Sequence, residues 1–130
     1  MTGRRPPSPE IVVDPSRPTP PYEQVRQQIA DLIFTGVLVA GTRMPPVRQL
    51  AADLGLAPGT VARAYQELEV AGLVQTRRGG GTQVIPLRGP AEARRAALLA
   101  DRAREYLVDA RRLGATDAEA LAAVRAQAER

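Results

Sequence analysis

Residues 46–85 read PVRQLAADLGLAPGTVARAYQELEVAGLVQTRRGGGTQVI, and the repeat of their apolar positions decides the fold. Val47, Leu50, Ala51 and Leu54 fall at i, i+3, i+4 and i+7, a spacing that gathers them on one side of a helix. Gly55 ends this helix. Val61, Ala64, Tyr65 and Leu68 repeat the spacing from Pro58 onward, until Gly72 closes a second one. Only Gly55, Leu56 and Ala57 lie between them, and two helices joined by so short a glycine-containing turn form a helix-turn-helix. Leu73–Thr76 and Thr82–Ile85 then read as two strands around Arg77-Arg78-Gly79-Gly80-Gly81. Glycines there permit positive φ and close backbone approach at a hairpin tip. The expected architecture is a winged helix-turn-helix, mainly α with a small β-hairpin.

Upstream, Tyr22, Val25, Ile29, Leu32 and Ile33 make one apolar stripe, with Gln24, Arg26, Gln27 and Asp31 assigned to the opposite side. Pro21 suits the first helical turn and Gly36 the stop after Thr35. A loop is expected from Val37 to Pro45. Residues 1–20 read as a flexible, proline-rich arm. Within it Glu10–Asp14 is β-prone and able to lay one strand on the body. Arg4 and Arg5 are within reach of a phosphate, although a solvated tail is the simpler reading.

Downstream, Arg88-Gly89-Pro90 marks a linker. Leu99, Ala103, Tyr106, Leu107, Ala110 and Leu113 then share a helical face that Gly114 ends. Thr116, with Glu119 three residues on, has capping-box spacing and opens a last helix with Leu121, Val124 and Ala128 inward. This two-helix segment, residues 89–130, is expected to pair with a second copy through its apolar stripe. Residues 21–88 form the winged domain.

Composition narrows the chemistry. The chain of 130 residues contains no cysteine and no histidine, which removes Cys/His metal sites and histidine base catalysis. The remaining carboxylates are dispersed and form no spaced pair, so an enzyme is not expected, nor any cofactor. No apolar run approaches the roughly 18 residues of a membrane span, and no apolar signal segment follows Met1, so a cytoplasmic, nucleoid-associated protein is expected. Net charge is +4 and the pI about 10.6, which favours an anionic partner. The charge is local: between Val70 and Ala91 there is no acidic residue, while Arg77, Arg78 and Arg88 all fall there. Arginines on a glycine tip serve no need of the turn itself and suit phosphate. Tyr65 and Tyr22 are read as packing residues.

The stretches PYEQVRQQI (21–29), GVLVAGTRMPPVRQLA (36–51), GTVARAYQELEVAGLV (59–74) and RRGGGTQV (77–84) closely resemble the DNA-binding domain of GntR-family bacterial regulators. The form of the third helix, the short two-helix tail and the arm IVVDPSRPTPPYEQ (11–24) resemble the YtrA-type subfamily. The resemblance implies a homodimeric repressor on a palindromic, double-stranded operator, often beside transporter genes. Carried over by position, it implies DNA contact by Arg48 at the start of the second helix and Thr60 in the first turn of the recognition helix. Arg63 follows one turn on, and Arg78 and Gly79 stand at the wing tip. With Pro58, Gly59, Arg77 and Gly80 these make the expected DNA-binding set. Two positions depart from the family: Pro46 stands where serine is usual, and Ala57 where serine, threonine or asparagine is usual. Ala57 cannot cap its helix, a loss of roughly 1 kcal/mol, which Pro58 partly offsets. Gly59 adds no side chain, so the recognition helix offers few polar groups to bases.

Two alternatives stand beside the repressor: a winged-helix protein-interaction module, and a non-specific architectural DNA binder. The interaction module predicts acidic or apolar residues at Arg48 and Arg78, and the sequence has neither. A small-molecule effector of unknown chemistry is left open, with no dedicated sensor site in the chain.

Overall fold

The computed structural model describes residues 10–130; the readings of Arg4 and Arg5 lie outside them. The chain divides into two compact units, with the boundary after Ala91.

In the first unit, helix α1 (Pro21–Phe34) starts on a proline, and Thr35 and Gly36 end it, Gly36 at φ 80°. Helix α2 (Val47–Leu54) stops at Gly55, whose left-handed φ of 67° is one that a residue with a Cβ rarely adopts. Helix α3 (Pro58–Val70) follows after three residues. Val25, Ile29 and Ile33 of α1, Leu50 and Ala51 of α2, and Val61, Ala64, Tyr65 and Leu68 of α3 fill one core. These are the apolar positions the spacing selects, apart from Tyr22, Leu32, Val47 and Leu54, which are half-buried.

Gln24 does not belong to the polar side of α1: it is 1% exposed. Its Oε1 accepts from the Asp14 amide (2.8 Å), and its Nε2 donates to the carbonyls of Asp14 (2.9 Å) and Thr19 (2.8 Å). Gln28, one turn on, exchanges two bonds with the backbone of Val12 (3.0 and 2.8 Å). Two glutamine side chains thus give the extended arm the backbone pairing that a neighbouring strand would supply. Ile11 is thereby laid into the core. Periodicity could not show this, because the arm covers a helix face that looks solvent-facing in sequence.

The hairpin strands are β1 (Val74–Arg77) and β2 (Gly81–Val84), antiparallel, with Val74 opposite Val84 and Arg77 opposite Gly81. Each stands one residue from its sequence-based bounds. The Leu73 amide is spent on the Leu68 carbonyl, closing α3 rather than opening the strand. The loop before α2 also differs from expectation. Met44 donates to the Thr82 carbonyl (2.7 Å), and Val84 donates to Thr42 (2.9 Å). Arg43 therefore pairs with Gln83 along the free edge of β2.

The second unit holds α4 (Ala91–Arg112) and α5 (Asp117–Ala128). Thr116 caps α5 in a full capping box with Glu119. Its buried residues are alanines, Ala110 and Ala120, and the Tyr106 hydroxyl donates to the Ala120 carbonyl (2.7 Å). Leu121, Val124 and Ala128 do not point inward; all three are exposed. Ala120 is the buried residue of α5 and its carbonyl takes the Tyr106 hydroxyl, while Leu121, the next residue, lies exposed.

Candidate nucleic-acid interface

The amino ends of α2 and α3 carry no side-chain cap, because Pro46 and Ala57 occupy the cap positions. Neither helix has an acidic residue in its first turn. First-turn amide groups at such ends carry partial positive charge and suit an anion. Arg48 is exposed in the first turn of α2. Pro58 and Gly59 are exposed at the start of α3, and Thr60 is half-buried.

Arg63, one turn along α3, is not a free surface cation. Its guanidinium carbon lies 3.7 Å from the centroid of the Tyr22 ring, and its Nε is 3.4 Å from Glu67 Oε2. The half-buried ring of Tyr22, at the start of α1, therefore meets the recognition helix through a cation–π contact. Beside it Glu23 holds Arg26 through two bonds of 2.6 Å, and this pairing lowers the Glu23 pKa. Tyr65, at the centre of α3, donates its hydroxyl to the Pro45 carbonyl (2.7 Å). Burial pushes that hydroxyl's pKa well above its usual value, so it stays a donor. These contacts fix α3 against α1 and against the segment that leads into α2.

At the wing, Arg78, Gly79 and Gly80 form the tip beyond the last strand pair, closed by Gly80 donating to the Arg77 carbonyl (3.0 Å). Gly79 has φ 76° and Gly81 φ 66°. Arg77 and Arg78 are exposed, and among the described residues neither pairs with a carboxylate. The wing is tied back to α3 by the Thr76 hydroxyl, 3.1 Å from Glu69 Oε1.

The expected interface residues thus occupy three features of one unit: two uncapped helix starts and a glycine tip. Sequence reasoning missed Arg43, which edge pairing draws into the wing. Its signal was faint, a single arginine in a stretch read as loop. Of the expected dimer residues, Leu99 (70% exposed), Leu113 (87%), Leu121 (60%) and Val124 (49%) lie open, and Ala103 is exposed too. Leu107 is half-buried, Ala110 is buried, and Tyr106 turns its hydroxyl to α5. Among the described residues, no helix is long and apolar enough to cross a membrane.

Residues 21–84 match the family described as bacterial regulatory proteins, gntR family. The chain is 45% identical over 109 residues to the HTH-type transcriptional regulator Rv1152 of Mycobacterium tuberculosis, covering 84% of this chain and 86% of that one. It is 43% identical over 74 residues to the HTH-type transcriptional repressor YtrA of Bacillus subtilis, covering 57% of each. Among solved structures it resembles the AraR DNA-binding domain in complex with operator ORX1, with a TM-score of 0.52 and 26% identity over 59% of this chain and 96% of that one. The chain belongs to the GntR family of bacterial regulatory proteins, as a winged helix-turn-helix, DNA-binding transcriptional regulator resembling YtrA and not an enzyme.

Proposed function

We propose that this regulator is a homodimeric repressor that binds a palindromic operator and acts by occluding polymerase. The observation that carries the DNA-contacting part is the wing tip, where Arg78 stands beyond the last strand pair on a glycine turn with no carboxylate partner. Arg48 and Thr60 supply the contacts at the helix starts, with Arg77, Arg78, Gly79 and Gly80 along the flanking backbone. Pro58 and Gly59 let the start of α3 approach closely. Arg63 contributes from its place over Tyr22. The repressor role follows the name of the Bacillus relative. Control of transporter genes follows the subfamily resemblance, and any effector acts by weakening DNA binding or dimerisation.

Dimerisation is supported by the second unit, which buries little beyond two alanines and leaves Leu99, Leu113, Leu121 and Val124 open. Residues of this size, exposed on helices with so small a core, are stabilised by a second copy. Two copies would set their recognition helices in successive major grooves, with half-site centres about 34 Å apart or a multiple of it.

The test is footprinting on the protein's own promoter at several salt concentrations with random competitor DNA. A protected palindrome that survives competition is expected. Salt-sensitive binding without preference would favour the architectural reading, which the bare start of α3 makes the specific rival. Absence of binding at low salt would favour an interaction module.

A further inference from the structure

The wing is built from three stretches of backbone. Arg43 stands opposite Gln83, and Gln83 opposite Gln75. Residues paired across antiparallel strands share a face, so these three side chains line one surface of the sheet. The pair Arg77–Gly81, two residues along, lies on the same surface. The opposite surface holds Met44, Val74 and Val84, all buried in the core. The outward surface therefore carries two guanidiniums and two primary amides, with no carboxylate in the strands that form it. Gln75, Arg77 and Gln83 of this surface border a cavity that Ala40, Gly41 and Ile85 also line, with Arg43 outside its lining.

Gly81 contributes no side chain here, and Arg43 takes the space. A Cβ at Gly81 would lie 3.2 Å from Arg43 Nε and 3.4 Å from Nη2. The guanidinium is thus laid over Gly81, on the sheet, instead of projecting past its edge. A cation in that posture reaches a chain passing over the sheet, not a base edge at the floor of a groove. Guanidinium and amide donors together suit phosphate oxygens.

We propose that Arg43 is a DNA-contacting residue of the wing, binding a backbone phosphate beside the one reached from the tip by Arg78. The inference rests on the DNA-binding reading of the wing. It extends the contact from the tip onto the outward strand face and gives Gly81 a second reason to lack a side chain.

The test compares wild type, Arg43→Ala, Arg43→Gln, Arg43→Lys and Arg78→Ala on promoter and random duplexes by fluorescence anisotropy from 50 to 200 mM salt. Each phosphate contact contributes about 0.9 to the slope of log affinity against log salt. The alanine and glutamine variants should lose about that much slope, so their deficit against wild type shrinks about threefold across this range. The loss should be equal on both duplexes. Arg43→Lys keeps the charge and should keep the slope. Circular dichroism checks the fold, and Arg43→Gln, which preserves the side-chain stem, carries the test should alanine unfold the edge. Wild-type affinity and slope in Arg43→Gln, with Arg78→Ala weakened, would overturn the assignment of Arg43 alone. A loss confined to promoter DNA with the slope unchanged would make Arg43 a base reader and overturn the phosphate assignment. Failure of wild type itself to bind either duplex would bring down the underlying reading instead.

Discussion

Replacing Gln24 by leucine tests whether a buried amide holds the arm to the body. Leucine preserves the side-chain volume and hydrocarbon at a site only 1% exposed, so the change isolates the polar contribution. It deletes three hydrogen bonds, to the Asp14 amide, the Asp14 carbonyl and the Thr19 carbonyl. At about 1 kcal/mol net per bond these amount to about 3 kcal/mol. Leucine's more favourable burial returns roughly 1 kcal/mol, leaving a deficit of about 2 kcal/mol. For a unit of this size that lowers Tm by roughly 10 °C. Thermal unfolding by far-UV circular dichroism reads the stability, and amide hydrogen exchange at Asp14 reads the arm. Gln28→Leu is the matched control. Its two bonds to Val12 are solvent-exposed, so water replaces them and the cost should stay within about 0.5 kcal/mol. A Gln24→Leu protein that melts with wild type and still protects the Asp14 amide would refute the reasoning, because Ile11 and Gln28 would then hold the arm without it.

Tyr65→Phe strips the donor from the buried Pro45 carbonyl and should cost about 1–3 kcal/mol in denaturant unfolding, with the fold retained. Arg78→Ala should weaken promoter and random DNA alike and reduce the salt slope by about 0.9, the share of one phosphate contact; an unchanged slope would take the tip out of the interface. Ending the chain at Pro90 should yield a folded monomer with much weaker operator binding, measured by sedimentation and anisotropy. A truncated protein that still sediments as a dimer would place the interface elsewhere.

The three helices of the first unit and the hairpin were legible because each announces itself locally. Apolar residues recur at helical spacing, Gly55 and Gly72 punctuate them, and the glycine run marks the tip. What was not legible depends on partners remote in sequence. Gln24 reads as polar surface until Asp14 and Thr19, five to ten residues away, close over it. Arg43 reads as loop until it meets Gln83 along the edge of β2. In the second unit the stripe of large residues suggested an inward face for α5, yet the buried residue of that helix is Ala120. A pattern built on large apolar residues passes over a buried residue as small as alanine. Arg63 shows the same limit at the interface, since only the fold reveals Tyr22 beneath its guanidinium.

That last contact bears on how such a protein selects a site. The start of α3 presents Ala57, Pro58 and Gly59, none with a polar side-chain atom, and Thr60 is half-buried. Arg63 is the first long polar side chain along the recognition helix, and it is already engaged by Tyr22 and Glu67. An exposed cation–π contact is worth about 0.5–1 kcal/mol. It is therefore too weak to hold the arginine against a bidentate guanine pairing of about 1–3 kcal/mol, but strong enough to subtract from it. Under the proposed contacts, each recognition helix is left with a discrimination of about one modest base contact, while Arg48 of α2 and the arginines of the wing supply charge blind to sequence. Under the proposed dimer, two half-sites double the small selective term, and groove shape adds to it where the wings bind. If the second unit pairs two copies as proposed, selectivity depends on its holding two first units at the right spacing, and a signal that loosened that pairing would abolish recognition before it abolished attraction to DNA.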